Sequence, residues 1–294
     1  MLLIKERQAM DVMPVTRSAH AGLPRIAHLS DMHVLDPRPS RTRAGWSMRT
    51  RFLSIGRPLD AAGRRRKLER SLETAKRVGA QHFVLSGDLT EIGSPGEYET
   101  FADVLHASGI SPERVTLVPG NHDLYSSADA WRWALEGPLA AFARTSAREP
   151  GKIIDIAGAS LLPLDATFHQ PVTRSAGRLP EEAIASIERR ASDPTLSRKP
   201  LVVVQHHPPF LRKTSALHWL DGLVGAHRMM AMLEKFRHLW VLHGHLHTIV
   251  DRALTCGVSR IRGATAVVDD RDSARVRIYD VVEGRLEAAG LVVG

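Results

Sequence analysis

Cysteine is almost missing. The 294-residue chain has one, Cys256, which excludes an internal disulfide and any thiolate metal cluster. Long apolar runs are missing too: no window approaches the ~18 uninterrupted apolar residues that cross a bilayer as a helix. Aromatic residues make up only 5% of the chain, too few for a platform on which single-stranded nucleic acid would stack. No repeat, low-complexity tract or Pro/Gly/Ser linker divides the sequence. With 43% apolar residues the chain can build one sizeable core, and disorder, collagen and coiled coil are excluded. Residues 1–24 show no steady period and read as a tail ahead of one domain over 25–294. The Lys5–Glu6 pair interrupts any signal-peptide core there, so cytoplasmic residence is the expectation.

What is present is unevenly placed. The chain carries 40 Lys/Arg against 32 Asp/Glu, a formal net charge of +8. Between Arg38 and Arg70 lie eleven Arg/Lys and two acids, Asp60 and Glu69, so the basic excess belongs to that segment. Histidine is abundant, at 15.

Short apolar runs alternate with amphipathic stretches from Arg25 onward. Strands are expected at Arg25–Leu29, His82–Leu85 and Val115–Val118, and helices at Arg64–Val78, Glu97–His106 and Ala128–Arg144. A strand pair at Ile153–Ile156 and Leu161–Leu164 and a helix at Pro180–Arg190 follow. Further strands are expected at Leu201–Val204, Leu239–Leu242, Ile249–Leu254, Val258–Ile261, Ala274–Tyr279 and Arg285–Ala288. The order predicts an α/β fold of mixed sheets covered by helices, with a strand-rich second half.

The expected strands end in metal-ligand residue types. Ser30-Asp31-Met32-His33 follows the first, Gly87-Asp88-Leu89-Thr90 the second and Gly120-Asn121-His122-Asp123 the third. Later, Gln205-His206-His207-Pro208-Pro209 and His243-Gly244-His245-Leu246-His247 end two more. Side chains at the carboxyl ends of strands converge on one edge of an α/β sheet. Glycines beside Asp88, Asn121 and His245 allow sharp turns and close approach. A mixed set of carboxylates, imidazoles and one amide suits Mn²⁺, Fe or Zn²⁺. It is too large for one ion and right for two, the arrangement that clamps both oxygens of a phosphoryl displacement.

Asp-x-His, Gly-Asp, Gly-Asn-His-Asp, His-x-Pro and Gly-His-x-His, in this order from about Ile26 to His247, resemble the calcineurin-like metallophosphoesterase superfamily. The resemblance implies two mixed β-sheets in a sandwich flanked by helices. It implies that Asp31, His33 and His247 hold one divalent metal ion, that Asn121, His206 and His245 hold a second, and that Asp88 bridges them. His122 would stand near the phosphate as the catalytic residue. Hydrolysis by a metal-bridging hydroxide is the implied mechanism.

The substrate is less constrained. Gly87–Gly93 followed by Glu97-Tyr98 is similar to bacterial class III cyclic-nucleotide phosphodiesterases, so a 3',5'-cyclic nucleotide is the first expectation. The alternative is a UDP-2,3-diacylglucosamine pyrophosphohydrolase of lipid A synthesis. Some such enzymes carry a basic, aromatic-bearing segment where this chain interleaves Trp46, Met48, Phe52, Leu53 and Ile55 with arginines, and only their His-bearing type matches Gly-Asn-His-Asp. Arg38–Arg70 makes an anionic membrane surface at the inner membrane a candidate partner, since each basic group near such a surface contributes ~1 kcal/mol. A solvated helical hairpin is the plain reading of the same segment, and nucleic acid is disfavoured. A catalytically inactive scaffold is the reading from another class, weakened because no ligand is missing. His207 is the alternative to His206 as ligand, and His243 reads as either a supporting donor or strand-end packing. His169 and His218 fall on loops within reach of the pocket, while His28, His82, His106, His227 and His238 read as surface or core residues. Glu97, Tyr98 and Tyr125 fit pocket lining or capping and packing equally.

Overall fold

Alternation inside the apolar runs decides the layering. The computed structural model describes residues 22–38 and 47–294; Trp46 and nearly all of the expected tail lie outside the described residues. Its elements in order are β1 (Arg25–Leu29), α1 (Met48–Leu53), α2 (Ala61–Arg77), β2 (His82–Ser86), α3 (Pro95–Ala107), β3 (Val115–Val118), α4 (Ala130–Glu136), β4 (Ile154–Ile156), β5 (Ala159–Pro163) and β6 (Gly177–Arg178). There follow α5 (Glu181–Ala191), β7 (Leu201–Val204), α6 (Ser215–Asp221), β8 (Leu223–Val224), α7 (Ala226–Lys235), β9 (Leu239–His243), β10 (Val250–Ala253), β11 (Ser259–Gly263), β12 (Arg275–Val282) and β13 (Arg285–Val293).

Two large mixed sheets result. One has the order β13-β12-β1-β2-β3 and the other β10-β11-β9-β7-β5-β4, with β6 and β8 forming a separate pair. β1, β2 and β3 run parallel, as do β5, β7, β9 and β11. Successive strand residues face opposite sides. Val84, Val202, Val204, Trp240 and Leu242 therefore meet Ile26 and Tyr279 between the sheets. Phe83 and Leu85 pack outward under α2, α3 and α4, and Leu201, Val203, Leu239 and Val241 pack outward under α5 and α7. This is the expected helix-flanked sandwich. The C-terminal strands β12 and β13 complete the first sheet.

The helices start where local chemistry allows. Asp60 accepts from the Gly63 amide at the start of α2, and Leu68, Leu72 and Ala75 form its buried stripe. Arg64 to Arg70 of the basic segment thus lie on a core-packing helix. Ser94 and Glu97 form a capping box on α3 with Pro95 in its first turn, so Glu97 caps rather than lines a pocket. The helix expected over Ala128–Arg144 is broken: α4 stops at Glu136, and a 3₁₀ turn occupies Ala140–Thr145. Pro138 after Gly137 supplies no amide donor and disfavours helical backbone before it. Among the described residues, no helix is long and apolar enough to cross a membrane.

His82 is buried beneath the first sheet with Nε2 2.9 Å from Thr116 Oγ1. Burial, reinforced by Arg114, pushes its imidazole down to about 4. The unfolded chain, at about 6.5, therefore takes up the proton first as pH falls. Stability present above pH 6.5 is lost between 6.5 and 4, by up to about 3 kcal/mol. Urea unfolding at pH 7 and pH 4.5 should show that loss, and His82→Gln should remove most of its own share.

Candidate metal centre

Backbone strain marks the site before any side-chain chemistry is considered. Six non-glycine residues among those described have positive φ, and five are Asp31 (55°), His33 (50°), Asp88 (50°), His245 (70°) and His247 (54°). Left-handed backbone at such residues costs ~1–3 kcal/mol each and persists only where surrounding structure enforces it. Here the turn after β1 is stitched to the turn after β2: Asp31 N–H donates to Gly87 O (3.0 Å), and His33 N–H to Asp88 O (2.9 Å). Gly87 itself sits at φ 95°, and a Cβ there would come within 2.5 Å of the His206 ring. Only glycine lets the two sheets close to that distance.

The strand ends bring Asp31, His33, Asp88, His122, His206 and His247 together, with Asn121 and His245 on turns beside them. The Asp88 carboxylate is the centre of this cluster. Oδ2 lies 3.3 Å from His206 Nε2, 3.7 Å from His33 Nε2 and 3.9 Å from His122 Nε2, while Oδ1 accepts from the His122 amide (2.9 Å). Asp31 Oδ1 lies 3.3 Å from His247 Nε2, and Oδ2 accepts from the His245 amide (3.1 Å). The ring of His245 stands 5.2 Å from that of His206. Ligand-type atoms of Asp31, His33 and His247, and likewise of Asp31, Asp88 and His206, come within 4.8 Å of one another.

The imidazoles are held from behind. His206 Nδ1 bonds Ser86 O (2.8 Å), His247 Nδ1 bonds Asp269 Oδ2 (2.6 Å), His122 Nδ1 bonds Glu91 O (2.8 Å) and His245 Nε2 bonds Asp221 O (3.0 Å). Each bond occupies one ring nitrogen, and in His206, His247 and His122 the other, Nε2, lies 3.3, 3.3 and 3.9 Å from a carboxylate of the cluster. Asn121 donates to Tyr125 Oη (2.9 Å), and its carbonyl oxygen accepts no hydrogen bond. Asp31 Oδ1, His33 Nε2, Asn121 Oδ1 and His206 Nε2 are all buried without a hydrogen-bond partner. Orphaned acceptors of this kind are costly unless a cation compensates them. The electrostatics agree. Burial opposes ionising Asp88 and Asp31, yet His206 and His247 hold both carboxyls well below the usual range. Against burial, Asp88 pushes His206 up to about 9, and Asp31 with Asp269 pushes His247 up to about 10. The cavity demands positive charge, and its N/O donors suit borderline divalent ions.

Several neighbours separate from the cluster. His207 turns its Nε2 to Ser175 O (2.8 Å) and packs 4.6 Å from the His245 ring, so His206 is the histidine that faces Asp88. His243 Nδ1 bonds the Gly244 carbonyl behind the site. His169 bonds Leu124 O, and Tyr98 is buried, donating to Asp123 O. Tyr125 does border the site, through Asn121.

Three residues were missed by sequence reasoning. Asp269 orients His247 from a 3₁₀ turn some twenty residues on. Glu91 is fully buried, with Oε2 3.1 Å from His33 Nδ1 and 2.5 Å from Arg64 Nη1. Burial opposes its ionisation, but the His33 contact holds it well below the usual range. Arg64, itself 3% exposed, also donates to His33 O (2.9 Å) and Ser54 Oγ (3.0 Å). An acid three residues after a strand-end aspartate was the available signal for Glu91; nothing distinguished Arg64 within its basic run.

Comparison with known proteins agrees with this geometry. Residues 24–248 match the calcineurin-like phosphoesterase family. The chain is 28% identical over 167 residues to a glycerophosphodiester phosphodiesterase, GpdQ, of Enterobacter lignolyticus, a match covering 56% of this chain and 55% of the relative. It therefore spans little more than half of that protein's length. It is 26% identical over 211 residues to a probable cyclic nucleotide phosphodiesterase of Rhodopseudomonas palustris, covering 67% and 69% of the two chains. A dimetal phosphatase from Danio rerio superposes with a TM-score of 0.61 at 13% identity, over 92% of this chain and 96% of that one, a likeness of fold.

Proposed function

The chain belongs to the calcineurin-like phosphoesterase family, whose members are dinuclear metal-dependent phosphoric ester hydrolases, and from that premise we propose a phosphodiesterase with the following division of roles. Asp31, His33 and His247 hold one divalent ion; Asn121, His206 and His245 hold the other; Asp88 lies between them. The observation that carries the reading is that Asp31 Oδ1, His33 Nε2, Asn121 Oδ1 and His206 Nε2, on the turns that meet at Asp88, are buried without any hydrogen-bond partner. Ions so held supply Lewis acidity and an activated water.

The chain's own groups complete the chemistry. Glu91 O, accepting from His122 Nδ1–H, presents His122 Nε2 at the mouth of the cluster. There the ring, when it carries a proton on both nitrogens, offers Nε2–H to the leaving oxygen or to a phosphoryl oxygen. Asp269 and Ser86 O keep His247 and His206 in the ligating tautomer. His122→Ala should keep both ions and lower turnover by about 10²–10⁴-fold, read as metal content beside hydrolysis of bis(p-nitrophenyl) phosphate.

For the substrate, the Gly-Asp-Leu-Thr-Glu-Ile-Gly run and the name of the Rhodopseudomonas relative support a 3',5'-cyclic nucleotide. A nucleotide-lipid pyrophosphate is the second reading, favoured by exposed Met48, Phe52 and Ile55 beside the site. Mn²⁺-loaded protein tested on cyclic AMP against UDP-2,3-diacylglucosamine decides between them. Turnover of neither, by protein holding two ions, would remove both.

A further inference from the structure

Twelve large apolar side chains are exposed among the described residues, and seven of them sit in two short segments. Met48, Phe52 and Ile55 belong to α1 and the turn after it. Leu211, Leu217, Trp219 and Leu220 belong to α6 and its approach. α6 buries none of its residues and α1 buries only Thr50, so neither helix owes its place to an apolar face in the core. Both are instead tied to the rim of the metal centre. From α1, Arg49 donates to Tyr125 O (2.6 Å), and Ser54 Oγ to Glu91 (2.8 Å). From α6, Asp221 O accepts from His245 (3.0 Å), and Trp219 O accepts from Arg174 (2.9 Å). Tyr125 joins the two sides, since its hydroxyl donates to Arg174 O (3.0 Å). The two flaps are therefore linked to each other through Tyr125, three residues from His122.

The charges around these apolar tips have one dominant sign. Arg49, Arg51 and Arg57 occur in 47–59 with no acid. Beside α6, Lys213 is exposed, the Arg174 guanidinium lies 4.8 Å over the Trp219 ring, and Arg212 pairs with Asp221. Exposed aliphatic and aromatic tips set among cations match the chemistry of an anionic lipid surface, where apolar groups enter the acyl boundary and basic groups meet head-group phosphates. A second copy of the chain would bring arginines against arginines.

We propose that the two flaps form one bipartite docking surface for an anionic lipid bilayer, which places the opening of the metal centre against the membrane. The docking rests on the location of the site proposed above, and on no particular substrate. It puts a phosphodiester or pyrophosphate in the head-group layer within reach.

The test is co-sedimentation of metal-loaded, full-length protein with phosphatidylglycerol/phosphatidylcholine vesicles. Binding should be present with these vesicles, absent with pure phosphatidylcholine, and lost at high salt. Phe52→Ser/Ile55→Ser and Leu217→Ser/Trp219→Ser should each lower partitioning about tenfold or more, with hydrolysis of a soluble diester unchanged. Asp88→Asn, dead in hydrolysis, should still bind vesicles, which separates docking from catalysis. Absence of binding to the anionic vesicles overturns the proposal even where soluble-diester hydrolysis is intact. So does full binding by either double variant.

Discussion

Asp88→Asn should lower phosphodiester turnover by about 10³–10⁴-fold, the rate equivalent of the several kcal/mol that a bound metal contributes to a phosphoryl transition state. The substitution changes charge and little else. An amide at this position keeps the volume of the carboxylate and can keep an oxygen toward the His122 amide, which Asp88 Oδ1 meets at 2.9 Å. What disappears is the anion facing His206, His33 and His122, the carboxylate proposed to serve both ions. Metal content should fall from two ions to one or none in the same samples. Far-ultraviolet circular dichroism should stay unchanged, since the sheets are held by their own ladders and apolar layers. A variant that binds two ions and turns over normally would remove Asp88 from the bridging role.

Glu91 carries the second large effect. It lies between Arg64 and His33, and both carboxylate and guanidinium are almost fully buried. Glu91→Ala leaves the Arg64 charge buried without its partner, and the fold should lose about 3–5 kcal/mol, read by urea unfolding. Glu91→Gln is gentler on the fold and more informative on function. It keeps a hydrogen-bond acceptor toward His33 Nδ1 but removes the charge that orients the ring and raises its basicity. Affinity for the ion held by His33 should fall about 10–100-fold, with the other ion little affected. Arg64→Met/Glu91→Leu separates the roles: it should recover most of the stability, since two apolar groups replace a buried ion pair, and not the metal affinity. Wild-type metal affinity in Glu91→Gln would reduce the pair to a structural tie between α2 and the site.

How legible this molecule was in its sequence depended on whether the signal was local. β7 reads as a continuous apolar run because both its faces are covered, and the ligand-bearing turns after β1, β2, β3, β7 and β9 exposed the cluster directly. The interrupted helix after Asp129 was less legible, because Trp131, Ala134 and Leu135 continue an apolar stripe that Gly137-Pro138 then cuts. α6 could not be seen at all: with no buried residue it has no amphipathic period. α7 was missed although Met229, Met232 and Leu233 repeat with helical spacing, its start being a left-handed glycine, Gly225, rather than a polar cap. Glu91, Arg64 and Asp269 act through tertiary contacts across 22 to 58 positions, and spacing along the chain carries no trace of such contacts. The basic segment divides for the same reason. Arg64 turns inward to Glu91, while Arg49 reaches the site's rim, and the run of arginines reads alike for both.

The most direct measurement is a Mn²⁺ titration of metal-stripped protein, following bound metal per chain and hydrolysis of bis(p-nitrophenyl) phosphate in the same samples. Activity should rise only as the second ion binds and should reach its plateau at two ions per chain. Full activity at one ion per chain, or in the stripped protein, would contradict a dinuclear centre built on Asp31, His33, Asp88, Asn121, His206, His245 and His247.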